Sequence, residues 1–354
     1  MNITKNIHEW LFSLMPDTTA SIVEMVLIAV VYLAIFAVAG LYLVLLERRV
    51  AAWFQLRLGP NRVGWQGLLQ TMADALKLVS KELTGTIKAD KFLYNLAPYF
   101  VIVSALMAMS LFPFSKEFQA FDINIGIFFL IAISSIGVIG ILLAGWSSNN
   151  KYALIGAMRS GAMMISYEIS LGMALITMVV LSGTMSISGI VESQANGWNL
   201  FKGHLPACIA FLVYLIAGNA EANRGPFDLA EAEQELTAGY HTEYSGMHFG
   251  FFYLAEYLNL FIVSGIAATV FLGGWMPLHV AGLSAFNGVM DLIPGFIWFF
   301  GKAFFIVFLL MWIKWTFPRL RIDQVLNLEW KYLIPICLFN LLLMVVLKVF
   351  GLVF

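Results

Sequence analysis

The chain has 354 residues, 61% of them hydrophobic and 12% charged, with a formal net charge of −1. Soluble domains carry about a quarter charged residues, so this composition excludes an ordinary water-soluble enzyme and indicates an integral membrane protein. A near-neutral balance without a long basic tract also argues against a nucleic-acid surface.

The first twenty residues, "MNITKNIHEWLFSLMPDTTA", lack the basic start, short apolar core and small-residue cleavage site of a secretory signal. The first membrane helix is therefore expected to direct insertion. Apolar blocks follow that are long enough to cross a hydrocarbon core of about 30 Å as helices, whereas barrel strands need only about ten alternating residues. Eight spans are expected at roughly 22–46, 99–120, 125–146, 152–182, 205–222, 250–272, 297–316 and 332–353, in a single membrane domain covering 1–354. About fifteen of the twenty lysines and arginines fall in or beside the loops after the first, third, fifth and seventh spans. The positive-inside rule makes that face cytoplasmic and puts both termini on the outer side.

The segment after the first span, 47–98, is too long for a tight turn and needs structure of its own. "LGPNRVG" supplies a turn, and Leu68, Leu69, Met72, Leu76 and Val79 then recur near a helical period, with Gln70, Asp74, Lys77 and Lys81 elsewhere. An amphipathic helix at the membrane surface is expected, either a simple interfacial anchor or one wall of a site.

The loop 222–249 gathers negative charge. "GNAEANRGPFDLAEAEQELTAGYHTEYSG" holds six carboxylates and one arginine. Pro226 stops the fifth span, and Asp228 followed by Glu231 has the pattern of a capping box that starts a short helix, with Gly239 as its stop. Asp228, Glu231 and Glu235 then share a stripe, while Glu233 points away and Glu243 reads as a solvated surface charge. A solvated acidic helix accounts for that loop alone. Glu221, Glu256 and Glu168, however, lie within or at the ends of apolar spans, where an ionised carboxylate costs about 2.5–3.5 kcal/mol and ordinarily faces a cavity or a partner. Clustered carboxylates out of bulk water hold protons more tightly and share them as a set, and Arg224 biases their charge. Cys208 and Cys337 stand far apart in apolar segments, with no spacing for a disulfide framework, zinc or an iron–sulfur cluster, and read as packing residues. The five histidines fall in loops or near helix ends, so paired axial haem ligands are not expected.

Two long motifs, "PFDLAEAEQELTAGYHTEYSGM" and "GLLQTMADALKLVSKE", with "ERRVAAWFQLRLGPNRVG" and "AGWSSNNKYALIGAMRSGAMMISYE", strongly resemble the H subunits of bacterial NADH:quinone oxidoreductase (respiratory complex I), a family that includes the mitochondrial complex I subunit 1. The likeness runs from about Glu47 to Gln324. It implies a proton-translocating, multi-pass subunit of the bacterial inner membrane. Such a subunit touches both the peripheral arm, whose other chains hold flavin and iron–sulfur clusters, and the rest of the membrane arm. Quinone is the implied substrate, with no flavin, haem or cluster in this chain. By motif, Arg48, Trp53, Asp74 and Ala75 would line or border a quinone cavity between the first span and the amphipathic helix, with Arg319, Arg321 and Asp323 of "FPRLRIDQ" as neighbours. Arg224, Asp228, Glu231, Glu233 and Glu235 would form the coupling loop, and Glu168, Glu221 and Glu256 the proton path. The third span carries no acidic residue, although some relatives have one nearby; Ser134 or Ser135 with water would take its place. A related hydrogenase-type membrane complex is the nearest alternative, and a stand-alone cation antiporter a more distant one.

Overall fold

The computed structural model describes residue 12 and residues 16–116, 118–120, 122–195, 197–230, 237–279 and 284–352. It is an all-α membrane architecture in which, among the described residues, eight helices are long and apolar enough to span a bilayer. They are α1 (Asp17–Phe54), α3 (Lys91–Ser110), α4 (Gly126–Ser147), α5 (Lys151–Ser182), α6 (His204–Glu221), α7 (Gly246–Val270), α8 (Gly295–Thr316) and α9 (Ile322–Val349). The amphipathic helix is α2 (Gln70–Ser80). It lies on the same face as the 222–245 loop, to which its following segment is bonded through Thr84 and Ser245.

Three spans differ from expectation, because a local cap or a partner on another element satisfies groups near their ends. Helix α1 continues through Glu47, Arg48 and Arg49, and its 38 residues extend roughly 57 Å, beyond the hydrocarbon core. Helix α3 starts eight residues before the expected 99 because Asp90 caps it, accepting from the Phe92 and Leu93 amides at 3.2 and 3.4 Å. Pro98 then sits inside the helix. Its missing N–H would have served the Tyr94 carbonyl, which instead accepts from the Tyr244 hydroxyl at 3.1 Å. Helix α9 begins ten residues before the expected 332 and passes through a π turn, Glu329–Leu333. Glu329 is fully buried there and receives the Ser170 hydroxyl.

Helix α7 is the most enclosed span, while α1 and α9 are the least. Small residues let the helices approach closely. A Cβ on Gly145 of α4 would lie 2.2 Å from the Ala157 Cβ of α5, and one on Gly140 would lie 2.5 Å from Val101 Cγ2 of α3. On the face opposite α2, the buried Lys302 ammonium donates to the Gly274 and Met276 carbonyls at 3.0 and 2.6 Å, pinning the segment between α7 and α8. Of the two cysteines, Cys337 is buried as expected, but Cys208 is exposed on α6, where the span faces outward.

Candidate functional site

The centre of the site is an ion-pair cluster built from four separate segments. Helix α6 ends in a turn whose Asn223 has φ +50°, a left-handed conformation that asparagine tolerates, and its side chain accepts from the Ser160 hydroxyl at 3.2 Å. This turn directs Arg224 back into the protein, where it is fully buried. Its Nη1 pairs with Glu47 of α1, and its Nε lies 2.8 Å from Glu256 of α7. Lys314 of α8 reaches the other Glu47 oxygen at 2.6 Å. The Arg224 guanidinium also stacks 4.0 Å over the Tyr257 ring. Burial alone would loosen its proton, but Glu256 and Glu47 outweigh it and hold the group above the ordinary arginine range. Two carboxylates and two cations thus neutralise one another where either sign alone would be costly.

A cavity of about 240 Å³ lies next to this cluster, between α1, α2 and α7. Gly40, Leu41, Val44, Leu78 and Leu254 give it apolar walls; Arg48, Asp74 and Tyr253 gather at its polar end. Gly40 belongs there for a steric reason, since a Cβ would lie 2.2 Å from Leu254 Cδ1. Arg48 Nη1 pairs with Asp74 Oδ2 at 2.5 Å, and Gln70 donates to the other Asp74 oxygen at 3.2 Å. The turn that sets α2 depends on Gly67, whose φ is +75° and whose Cβ would lie 2.1 Å from the Pro60 carbonyl oxygen. Of the residues expected at this cavity, Arg48, Asp74 and Ala75 line it. Trp53 does not: it is 65% exposed on the last turn of α1, rotated away from the cavity. Arg319, Arg321 and Asp323 do not line it either. Arg319 and Arg321 lie between α8 and α9 and Asp323 in the first turn of α9, in a segment tied to the 222–230 turn by the Leu320 amide, 3.1 Å from the Pro226 carbonyl, and Arg321 pairs with Asp323 at 3.5 Å in an exposed position.

The membrane glutamates fall into two groups. Glu256 belongs to the charge cluster. Glu168 of α5 and Glu221 of α6 meet at α4 around Ser134 and Ser135: Ser134 Oγ is 3.3 Å from Glu168 Oε1, Ser135 donates to the same oxygen, and Ser134 and Glu221 border one small cavity. Asp228 is half-buried just beyond Arg224. Glu231, Glu233, Glu235 and the expected acidic helix lie outside the described residues. Glu243 is not a solvated charge: Asn150 donates to its carboxylate at 2.6 Å and Tyr94 to its carbonyl at 2.6 Å, fastening the end of the acidic loop to α3 and α5. Nearby, burial against Phe249 and Tyr240 pushes the His241 imidazole down to about 4.

Glu47 and Lys314 were not among the expected site residues. Both sit near helix ends, where charges ordinarily reach water or a membrane interface. The available signal was Glu47 within an otherwise unbroken helical stretch, one residue before Arg48.

Together these features define a class: a multi-pass membrane protein with a buried ion-pair cluster between a largely apolar cavity and a pair of intramembrane carboxylates. The family model described as NADH dehydrogenase matches residues 26–345. The chain is 66% identical over 352 residues to the H subunit of the NADH-quinone oxidoreductase of Bacteroides fragilis, covering 99% of this chain and 98% of the relative. It is 46% identical over 318 residues to the same subunit of Brevibacillus brevis (90% and 91% covered) and 45% over 329 residues to that of Paraburkholderia xenovorans (90% and 89% covered). The chain belongs to the family of NADH-quinone oxidoreductase H subunits.

Proposed function

We propose that the chain is a membrane-arm subunit of a proton-pumping NADH–quinone oxidoreductase, in which the α1–α2–α7 cavity receives quinone and the clustered glutamates carry protons. The observation that carries this reading is the adjacency of Glu47 and Arg48: consecutive residues of α1, one in the ion-pair cluster and the other in the cavity. A charge change in the cavity is therefore felt one residue away by a cluster whose members are coupled. The cavity is just below the usual lower size of ligand pockets, roughly 300 Å³. Its apolar walls suit a hydrophobic ring and the start of an isoprenoid chain, and its Arg48–Asp74 end offers a donor to a quinone carbonyl and an acceptor to the hydroxyl of the reduced quinol.

The redox chemistry belongs to the quinone and to centres in partner chains, while this chain supplies binding, orientation and electrostatics. Arg48 and Asp74 hold the head group. Arg224 biases the charge of Glu47 and Glu256, and protons pass from Glu256 toward Glu221 and Glu168, where Ser134 and Ser135 stand in for an acidic group on α4. Other complex I subunits of the peripheral and membrane arms are the partners, the α2 face is cytoplasmic, and the membrane is the bacterial inner membrane.

Glu256→Gln tests the reading by fixing one site neutral. NADH-driven quinone reduction and acidification of inverted vesicles are measured at equal complex content, with the exposed Glu192→Gln as comparison. Both rates are expected to fall together in Glu256→Gln only. Normal pumping in that variant would remove Glu256 from the path.

A further inference from the structure

An enclosed cavity of about 30 Å³ lies between α3, α4, α5, α6 and α7. Its walls are apolar apart from Ser104, Ser134, Glu221 and Asn259. A buried water needs roughly 10–15 Å³ of such space and two to four polar partners. There is room for about two waters, and the four polar groups offer enough hydrogen bonds for them.

The surroundings connect this space to both groups of glutamates. Asn259 lies three residues after Glu256 on α7, hence on the same helix face one turn further into the membrane. On the other side, Ser134 borders the cavity and also reaches Glu168 at 3.3 Å. Gly137, one turn along α4 from Ser134, keeps the space open: a Cβ there would lie 2.8 Å from Ser104 Oγ.

We propose that Asn259 is a positioning residue which, with Ser134 and Glu221, holds water in this cavity and so joins Glu256 to the Glu221–Glu168 pair. This rests on the reading that those glutamates carry protons. For each proton that enters the water from one carboxyl, one leaves to the next. The Asn259 carboxamide keeps its own protons and orients the water.

The test uses the assembled complex in inverted vesicles, with Asn259→Leu, Asn259→Ser, Gly137→Ala and Glu221→Gln compared at equal complex content. Proton pumping, quinone reduction and their ratios in H₂O and D₂O are read. Asn259→Leu and Gly137→Ala are expected to lower pumping roughly tenfold and to raise the solvent isotope effect, because a proton step becomes limiting. Asn259→Ser, which can still bind water, is expected to recover most of the rate. Wild-type pumping in both Asn259→Leu and Gly137→Ala would overturn the inference, as would equal losses in the Leu and Ser variants with an unchanged isotope effect. If Asn259→Leu does not assemble, Gly137→Ala decides, and normal pumping in it overturns the inference. Loss in Glu221→Gln alongside normal cavity variants sinks only the water link, whereas normal pumping in Glu221→Gln sinks the glutamate path itself.

Discussion

Glu47 touches two cations from distant parts of the chain, so its removal strands both. In Glu47→Gln, Lys314 loses the carboxylate that pairs with it and Arg224 keeps only Glu256. Breaking a buried pair from one side costs about 3–5 kcal/mol, and a marked fall in the thermal midpoint of the detergent-solubilised complex is expected. Lys314→Met should cost less, since the lysine is partly exposed. A second prediction concerns His241, whose imidazole burial holds down to about 4 against an ordinary 6.5. The unfolded chain takes up that proton first as the pH falls, so the group's contribution to stability is complete above 6.5 and is lost between 6.5 and 4. Protease resistance of the loop measured across that window should decline in the native chain and decline less in His241→Gln. An unchanged profile in the variant would count against the assignment. Neither role was readable from sequence. Glu47 and His241 differ from other charged or titratable loop residues only in what the fold packs against them.

At the scale of elements, α2 illustrates how much periodicity alone decides. Its amphipathic pattern was legible, and so was the turn that precedes it. The choice between an interfacial anchor and a cavity wall was not, because it depends on α1 and α7 closing over the Asp74 and Ala75 side. Ala75→Phe should fill that space. NADH-driven quinone reduction is then expected to fall and sensitivity to quinone-site inhibitors to change, with transfer from NADH to a hydrophilic acceptor retained; parallel loss of both activities in an assembled complex would contradict this. Helix α4 supplies a packing test. Gly145→Leu places bulk where a Cβ is already 2.2 Å from Ala157, and overpacking of this kind costs about 1–3 kcal/mol. A lowered thermal midpoint should accompany it. Gly301, with nothing within 4 Å of its Cβ position, should tolerate alanine.

For the whole molecule, orientation gives the final prediction. In a Cys208→Ala background, a cysteine at Lys88 on the α2 face should react with an impermeant thiol reagent only from the cytoplasmic side, and one at Glu192 only from the outside; the reverse pattern would invert the proposed topology. By itself, the sequence determined that this is a membrane protein of eight helical spans, the face on which its basic residues gather, and its family. Apolar blocks of about twenty residues and long local motifs suffice for those conclusions. The tertiary structure alone decided where the spans end and which charges matter. The expected first span stopped before Glu47 and the last began after Glu329, yet both carboxylates are buried within helices with partners on other helices, and Asp90 caps a helix that begins eight residues before its expected start. An ionisable group's cost in a membrane depends on what it pairs with. Partners separated by 267 residues, as in Glu47 and Lys314, leave no local pattern to read.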